Sequence, residues 1–280
     1  MSTWVMTVSY TAVSGVRTVR FSDSLGVKQL CEPLPPPTMA RASLTAVALA
    51  VGATAALAAP AADEITALKG WAGALPSKQY SGFLDVSAEH HIHYVFVEAS
   101  VAEPSKAPVV LWMNGGPGAS SFGYGYLTEL GPFFVTPGTG GRQTVRENPK
   151  AWTTVANVLF LDSPSNVGFS YCGTKAKTAP CSWTDTSTAA LNFGALQQFF
   201  SKFPEYAQNR FYIWGESYAG IYIPMLAEAI LNASSTTVGE SAGPAVPLPV
   251  GIGVGNGCLG DEVGKCSAQG TRIEVEFLVS

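Results

Sequence analysis

Four short, predominantly apolar runs punctuate the middle of the chain: Val109–Met113, Val155–Leu161, Phe211–Trp214 and Val250–Val254. Runs of that length with no polar alternation suit strands buried on both faces, and hence a mostly parallel sheet. Ahead of them, Tyr80–Val86 and Ile92–Val97 gather β-formers on either side of a polar turn at 88–91, which predicts a hairpin. Between the third and second runs the period changes. Ala189, Phe193, Leu196, Phe199, Phe200 and Phe203 recur three and four residues apart, the spacing of one helix face, with Asp185 placed to cap the start and Pro204 to stop the end. A second helix is expected just after Ser217, through Ile223, Leu226, Ala227, Ile230 and Leu231, with Pro224 accommodated in its first turns. Residues 233–249, rich in Ser, Thr, Gly and Pro, read as a loop. Strand and helix alternate, so the fold class is α/β.

Composition narrows the function classes. With 280 residues, 13% of them charged and a net charge of −4, the chain is long enough for one large domain or two small ones. It has no basic cluster to hold a nucleic acid. Near the N-terminus, Met39-Ala-Arg-Ala-Ser, a weakly apolar stretch from Leu44 to Leu57 and Ala56-Leu57-Ala58 follow the plan of a secretory signal. The stretch is too short to give a stable membrane span. A buried alanine-rich helix and a signal anchor with a short cytoplasmic tail are the alternatives. A signal should open a chain, so residues 1–38, with Pro33-Leu34-Pro35-Pro36-Pro37, read as an extension ahead of a true start at Met39. The expected organisation is extension 1–38, signal 39–58, and one α/β domain portion from 59 to 280.

Of five cysteines, Cys31 falls in that extension, and the other four lie as close pairs, Cys172 with Cys181 and Cys258 with Cys266. Four cysteines allow three connectivities. Local pairing is expected in an oxidising compartment, with free thiols the alternative. Asn232-Ala233-Ser234 is an acceptor for N-glycosylation if the chain is exported.

The passage Phe211-Tyr212-Ile213-Trp214-Gly215-Glu216-Ser217-Tyr218-Ala219-Gly220 joins an apolar strand to a helix through small residues that flank one serine. That is the layout of a nucleophile elbow, in which the sharp turn holds the hydroxyl at the sheet's carboxyl edge. A helix-capping serine in an ordinary tight turn is the plainer reading. A serine nucleophile needs an oxyanion hole. One donor is the backbone N–H of Tyr218, and the other should come from a glycine turn after an earlier strand. Trp112-Met113-Asn114-Gly115-Gly116-Pro117-Gly118-Ala119-Ser120-Ser121 stands at that place. It lacks the Lys-Ser or Lys-Thr ending of a phosphate loop.

Taken with Glu147-Asn148-Pro149 through Trp152, Val158 to Pro164, Gly168-Phe169-Ser170-Tyr171 and Gly255-Asn256-Gly257, these motifs resemble the serine carboxypeptidase family from about Asp63 to Ser280. The resemblance implies an α/β-hydrolase fold, no cofactor and no metal. It implies Ser217 as the acylated nucleophile and the N–H groups of Gly116 and Tyr218 as oxyanion donors. Asn114, the Gly115 backbone, Glu129 and Glu216 match the residues that grip the carboxylate of a peptide or protein C-terminus. Two neighbouring carboxyls cannot both ionise cheaply, so one should keep its proton at mildly acidic pH. Residence in the secretory pathway, with export or a vacuole or lysosome as destination, goes with that family.

The chain also departs from the pattern. Its three histidines, His90, His91 and His93, all precede Ser217, whereas this fold orders serine, acid, histidine. They are expected to be structural or solvated, and Asp261 is poorly placed as the acid. The family carries its acid and base beyond an inserted lid, so the 280 residues are expected to be an N-terminal portion with little activity of its own. Ala119 stands where the family commonly has a cysteine. An acyltransferase using the same serine, or a catalytically dead binding homologue, are the competing functions. Oligomeric state is not legible.

Overall fold

The computed structural model describes residues 5–13, 16–22, 59–138, 143–174, 177–179, 181–236, 245–258 and 278–279. Its strands in chain order are β1 (Val5–Val13), β2 (Val16–Ser22), β3 (Gln79–Asp85), β4 (His90–Val97), β5 (Val109–Met113), β6 (Phe133–Pro137), β7 (Gln143–Glu147), β8 (Asn157–Leu161), β9 (Tyr171–Thr174), β10 (Lys177–Ala179), β11 (Phe211–Glu216), β12 (Pro249–Gly255) and β13 (Leu278–Val279). Two long helices, α1 (Asp185–Lys202) and α2 (Ala219–Thr236), flank β11 in sequence. The main sheet runs β10-β9-β4-β8-β5-β11-β12-β1-β2-β13, with β3 on the free side of β4. At its centre β8, β5, β11 and β12 are parallel. The predicted hairpin is β3–β4, antiparallel to the parallel block through β8. The expected signal at 39–58 lies outside the described residues.

The apolar runs are central strands for the reason the pattern gave: every residue of β5 and β8 is buried. Val155, assigned to the second run, is instead 68% exposed, because the 3-10 turn Trp152–Thr154 delays the strand to Asn157. Helix α1 is capped one residue earlier than expected. The side chain of Thr184 accepts from Ser187 N–H while Ser187 reaches back to Thr184 N–H, and Asp185 becomes the first helical residue, where its charge suits the helix dipole. Its apolar stripe does enter the core: Phe199 and Phe203 pack against Phe96, Tyr94 and Tyr80. Helix α2 runs on to Thr236, across the start of the expected loop, with Pro224 inside it. The opposite face of the sheet is covered by a π-helical segment, Phe122–Glu129, whose Tyr126 packs with Trp112, Val158 and Phe160. The small hairpin β6–β7 forms a separate sheet beyond it. No helix among the described residues is long and apolar enough to cross a membrane.

Candidate active site

Strands β5 and β11 are parallel neighbours in register, Met113 beside Gly215, so Asn114 and Glu216 emerge together at the carboxyl edge of the sheet. That edge is where ligands meet open α/β sheets. Ser217 follows at once, with φ 59°, a left-handed conformation that non-glycine residues rarely hold. The strain is fixed from behind. Ser217 N–H donates to Gly255 O (2.9 Å), and Ser217 O accepts from Gly220 N–H (2.9 Å) and Cys258 N–H (2.7 Å). The serine side chain is half-buried and α2 begins two residues later, as a nucleophile elbow requires.

The glycine turn lies directly against this elbow. A Cβ on Gly115 would stand 2.3 Å from Tyr218 N and 2.9 Å from Ser217 Cβ, so only glycine permits the approach. Gly116 has φ +105°, and the turn closes through Ala119 N–H to Gly115 O (3.0 Å). Among the described residues no hydrogen bond takes up the N–H of Gly116 or of Tyr218. Two backbone donors on separate loops, one of them at a helix N-terminus, thereby stand next to Ser217. Beside them a cleft of about 490 Å³ opens between Pro117, Gly118, Trp183, Asp185, Tyr218 and Tyr222.

Asn114 joins the other two expected residues. It is 2% exposed, and its Oδ1 accepts from Trp112 Nε1 (2.9 Å) and Gly125 N–H (3.1 Å). With the oxygen so occupied, Nδ2 must face outward, and it donates to Glu129 (3.0 Å) and Glu216 (3.3 Å). Glu129 reaches this point from the last residue of the π-helical segment. Desolvation pushes its pKa up, the Asn114 bond works against the rise, and the charge of Glu216 adds to it. The net result is a raised value. Ser217, Gly115, Gly116, Tyr218, Asn114, Glu129 and Glu216 are therefore brought together in one place.

The remaining residues lie elsewhere. Cys172 and Cys181 form a disulfide that ties β9 to the approach of α1. Cys258 is buried beside the elbow, and Cys266 lies outside the described residues. Asn232 is exposed near the end of α2. His91 pairs with Asp85 (2.5 Å) and His93 is buried against Asp162 (2.9 Å), so both are engaged structurally. The sequence did not point to Trp112 and Gly125 as the groups that orient Asn114. Trp112 stands two residues before Asn114 in the quoted motif, but an apolar strand residue carries no signal that its indole N–H has a polar task.

Comparison with known proteins adds four findings. A family model described as serine carboxypeptidase matches residues 70–270. The lysosomal protective protein of Mus musculus is 46% identical over 200 residues, which are 71% of this chain and 38% of that protein. Serine carboxypeptidase-like 34 of Arabidopsis thaliana is 41% identical over 74% of this chain and 40% of its own length. Among solved structures, a prohormone-processing carboxypeptidase from Saccharomyces cerevisiae superposes with a TM-score of 0.52 at 25% identity, covering 61% of this chain and 37% of that one. The chain thus spans about two fifths of the length of the curated relatives it matches.

Proposed function

The chain belongs to the serine carboxypeptidase family and has its α/β-hydrolase fold, and on that footing we propose that it carries the nucleophile, oxyanion hole and carboxylate clamp of an enzyme that releases C-terminal residues from peptides. The observation that carries this reading is the Asn114 amide, held between Glu129 and Glu216 one residue from Ser217. A serine hydrolase acting on internal bonds has no need of a clamp for a terminal carboxylate at that distance.

In the proposed reaction the substrate's C-terminal carboxylate sits on Asn114 Nδ2, the Gly115 backbone and whichever carboxyl of the Glu129–Glu216 pair keeps its proton. Ser217 Oγ attacks the last peptide carbonyl, whose oxygen becomes negative and is met by the N–H groups of Gly116 and Tyr218. The serine proton is carried by a base to the nitrogen of the terminal residue, which leaves as a free amino acid as its C–N bond breaks, and water then hydrolyses the acyl-enzyme, releasing the shortened peptide and restoring the serine hydroxyl. The raised pKa of Glu129 favours the protonated clamp at mildly acidic pH. The serine still needs a base. All three histidines precede it and belong to the β3–β4 hairpin, so these 280 residues alone should turn over slowly. Secretory residence is part of the proposal, as is glycosylation at the exposed Asn232.

The test is made on protein purified from its native source. An N-blocked dipeptide with a free carboxyl end should lose its last residue at acidic pH, its C-terminally amidated twin should not, and a fluorophosphonate should label Ser217. Acyl transfer to an added alcohol without hydrolysis would favour the transferase. An unlabelled serine would leave only a binding protein.

A further inference from the structure

Asp162 follows the last residue of β8, outside the chemistry just described, yet it is 1% exposed and ionisable. A carboxylate so buried must be matched by donors. Its Oδ1 accepts from Ser120 Oγ (2.6 Å) and Phe122 N–H (3.1 Å), and its Oδ2 from His93 Nδ1 (2.9 Å) and Phe169 N–H (3.1 Å). Burial works against its charge, but the bonds from His93, Ser120, Phe169 and Phe122 outweigh it and hold its pKa below the usual carboxylate range. His93 is itself fixed. Ser81 Oγ meets its Nε2 at 2.9 Å, Ser170 Oγ accepts from its backbone N–H at 2.8 Å, and Phe122 and Phe169 stand edge-on to its ring. Hydroxyl, imidazole and carboxylate line up as in a proton relay. With the imidazole 8% exposed and ringed by aromatics, however, the arrangement holds rather than reacts.

What it holds is one end of the glycine turn. The near end of that turn is set by Asn114 N–H donating to Ser121 Oγ (2.9 Å) and by the contact of Gly115 with the elbow. Between the two ends lies Gly116, at φ +105° and with no side chain of its own to pack. At the far end of the turn Ser120 Oγ and Phe122 N–H, on either side of Ser121, both donate to the same carboxylate. We propose that Asp162 is a positioning residue for the oxyanion hole: through Ser120 Oγ and Phe122 N–H it fixes the turn that carries the Gly116 N–H, while His93 fixes the carboxylate. This rests on Ser217 being the nucleophile and extends that reading to a residue that touches neither substrate nor serine.

The experiment uses protein expressed from its gene and titrated at Ser217 with a fluorophosphonate, so that kcat is counted per reactive serine. Asp162→Asn, Ser120→Ala and the double variant are compared with wild type in kcat, KM and thermal midpoint. Displacement of an oxyanion donor by about an ångström costs on the order of 100-fold in rate, so Asp162→Asn should lower kcat per titrated site by about that factor with KM little changed. Ser120→Ala should lower it less, and the double variant should be no slower than Asp162→Asn, because both act through one contact. Wild-type kcat per titrated site in both variants, with only the thermal midpoint lowered, would overturn the proposal. So would strictly additive losses. If Asp162→Asn does not fold, Ser120→Ala, which removes one hydroxyl, decides the matter by its kcat alone. A wild-type serine that takes no label refutes the site reading itself and is thereby distinguished from failure of the positioning role.

Discussion

Replacing Asn114 by alanine removes the amide around which the clamp is organised, and the structure sets the scale of the damage. Two buried donors, Trp112 Nε1–H and Gly125 N–H, lose their only described acceptor on that side chain. An unsatisfied buried donor costs about 1–3 kcal/mol, so the pair should cost about 2–6 kcal/mol. Against the roughly 5–15 kcal/mol that holds a domain together, this is a large share. Urea unfolding followed by tryptophan fluorescence reads it directly, as a lower midpoint with an unchanged slope. Asn114→Asp separates the two halves of the argument. It keeps an oxygen for Trp112 and Gly125 but turns a third carboxyl toward Glu129 and Glu216, so it should approach wild-type stability in acid and fall away toward neutral pH. A loss below about 1 kcal/mol for alanine, or a pH-independent aspartate variant, would refute the idea that Asn114 is locked by its oxygen.

Two further outcomes are expected. Glu129 in the folded chain holds its proton above the ordinary value of 4.5, so the folded state binds more protons than the unfolded one in that window. Its stabilising contribution is full below about pH 4.5 and fades as pH rises through the raised value, and affinity for a peptide carboxylate measured by calorimetry should fade over the same range. Glu129→Gln should flatten both profiles. Cys172 and Cys181 close a loop with a sequence separation of 9, so replacing both by serine should cost about 2–3 kcal/mol from the freed unfolded chain, read as a lower thermal midpoint.

The sequence made the centre of the molecule legible because the centre is where local signals and burial agree. Predominantly apolar runs became β5, β8, β11 and β12, and the small residues around Ser217 became the elbow. The periphery was less legible. Strand β7 is exposed or half-buried throughout, so Gln143–Glu147 carries no apolar pattern to betray it. Val155 is as β-prone as its neighbours and still lies outside β8, because a turn of the backbone, not propensity, sets where pairing begins. Thr184 rather than Asp185 caps α1, since the reciprocal bond with Ser187 satisfies two N–H groups at once. Asp162 was visible as part of a motif, but its task was not. His93 and Ser120, its partners, stand 69 and 42 residues away in sequence, and nothing along a chain announces such a meeting.

The elbow is held by its main chain to Gly255 and Cys258, neither of which lines the cleft. A latch is only as still as the post it hangs on. A substitution that shifts the tip of β12 should move the Ser217 hydroxyl with it, and under the proposed reaction would be read as damaged chemistry although the altered residue does not line the cleft.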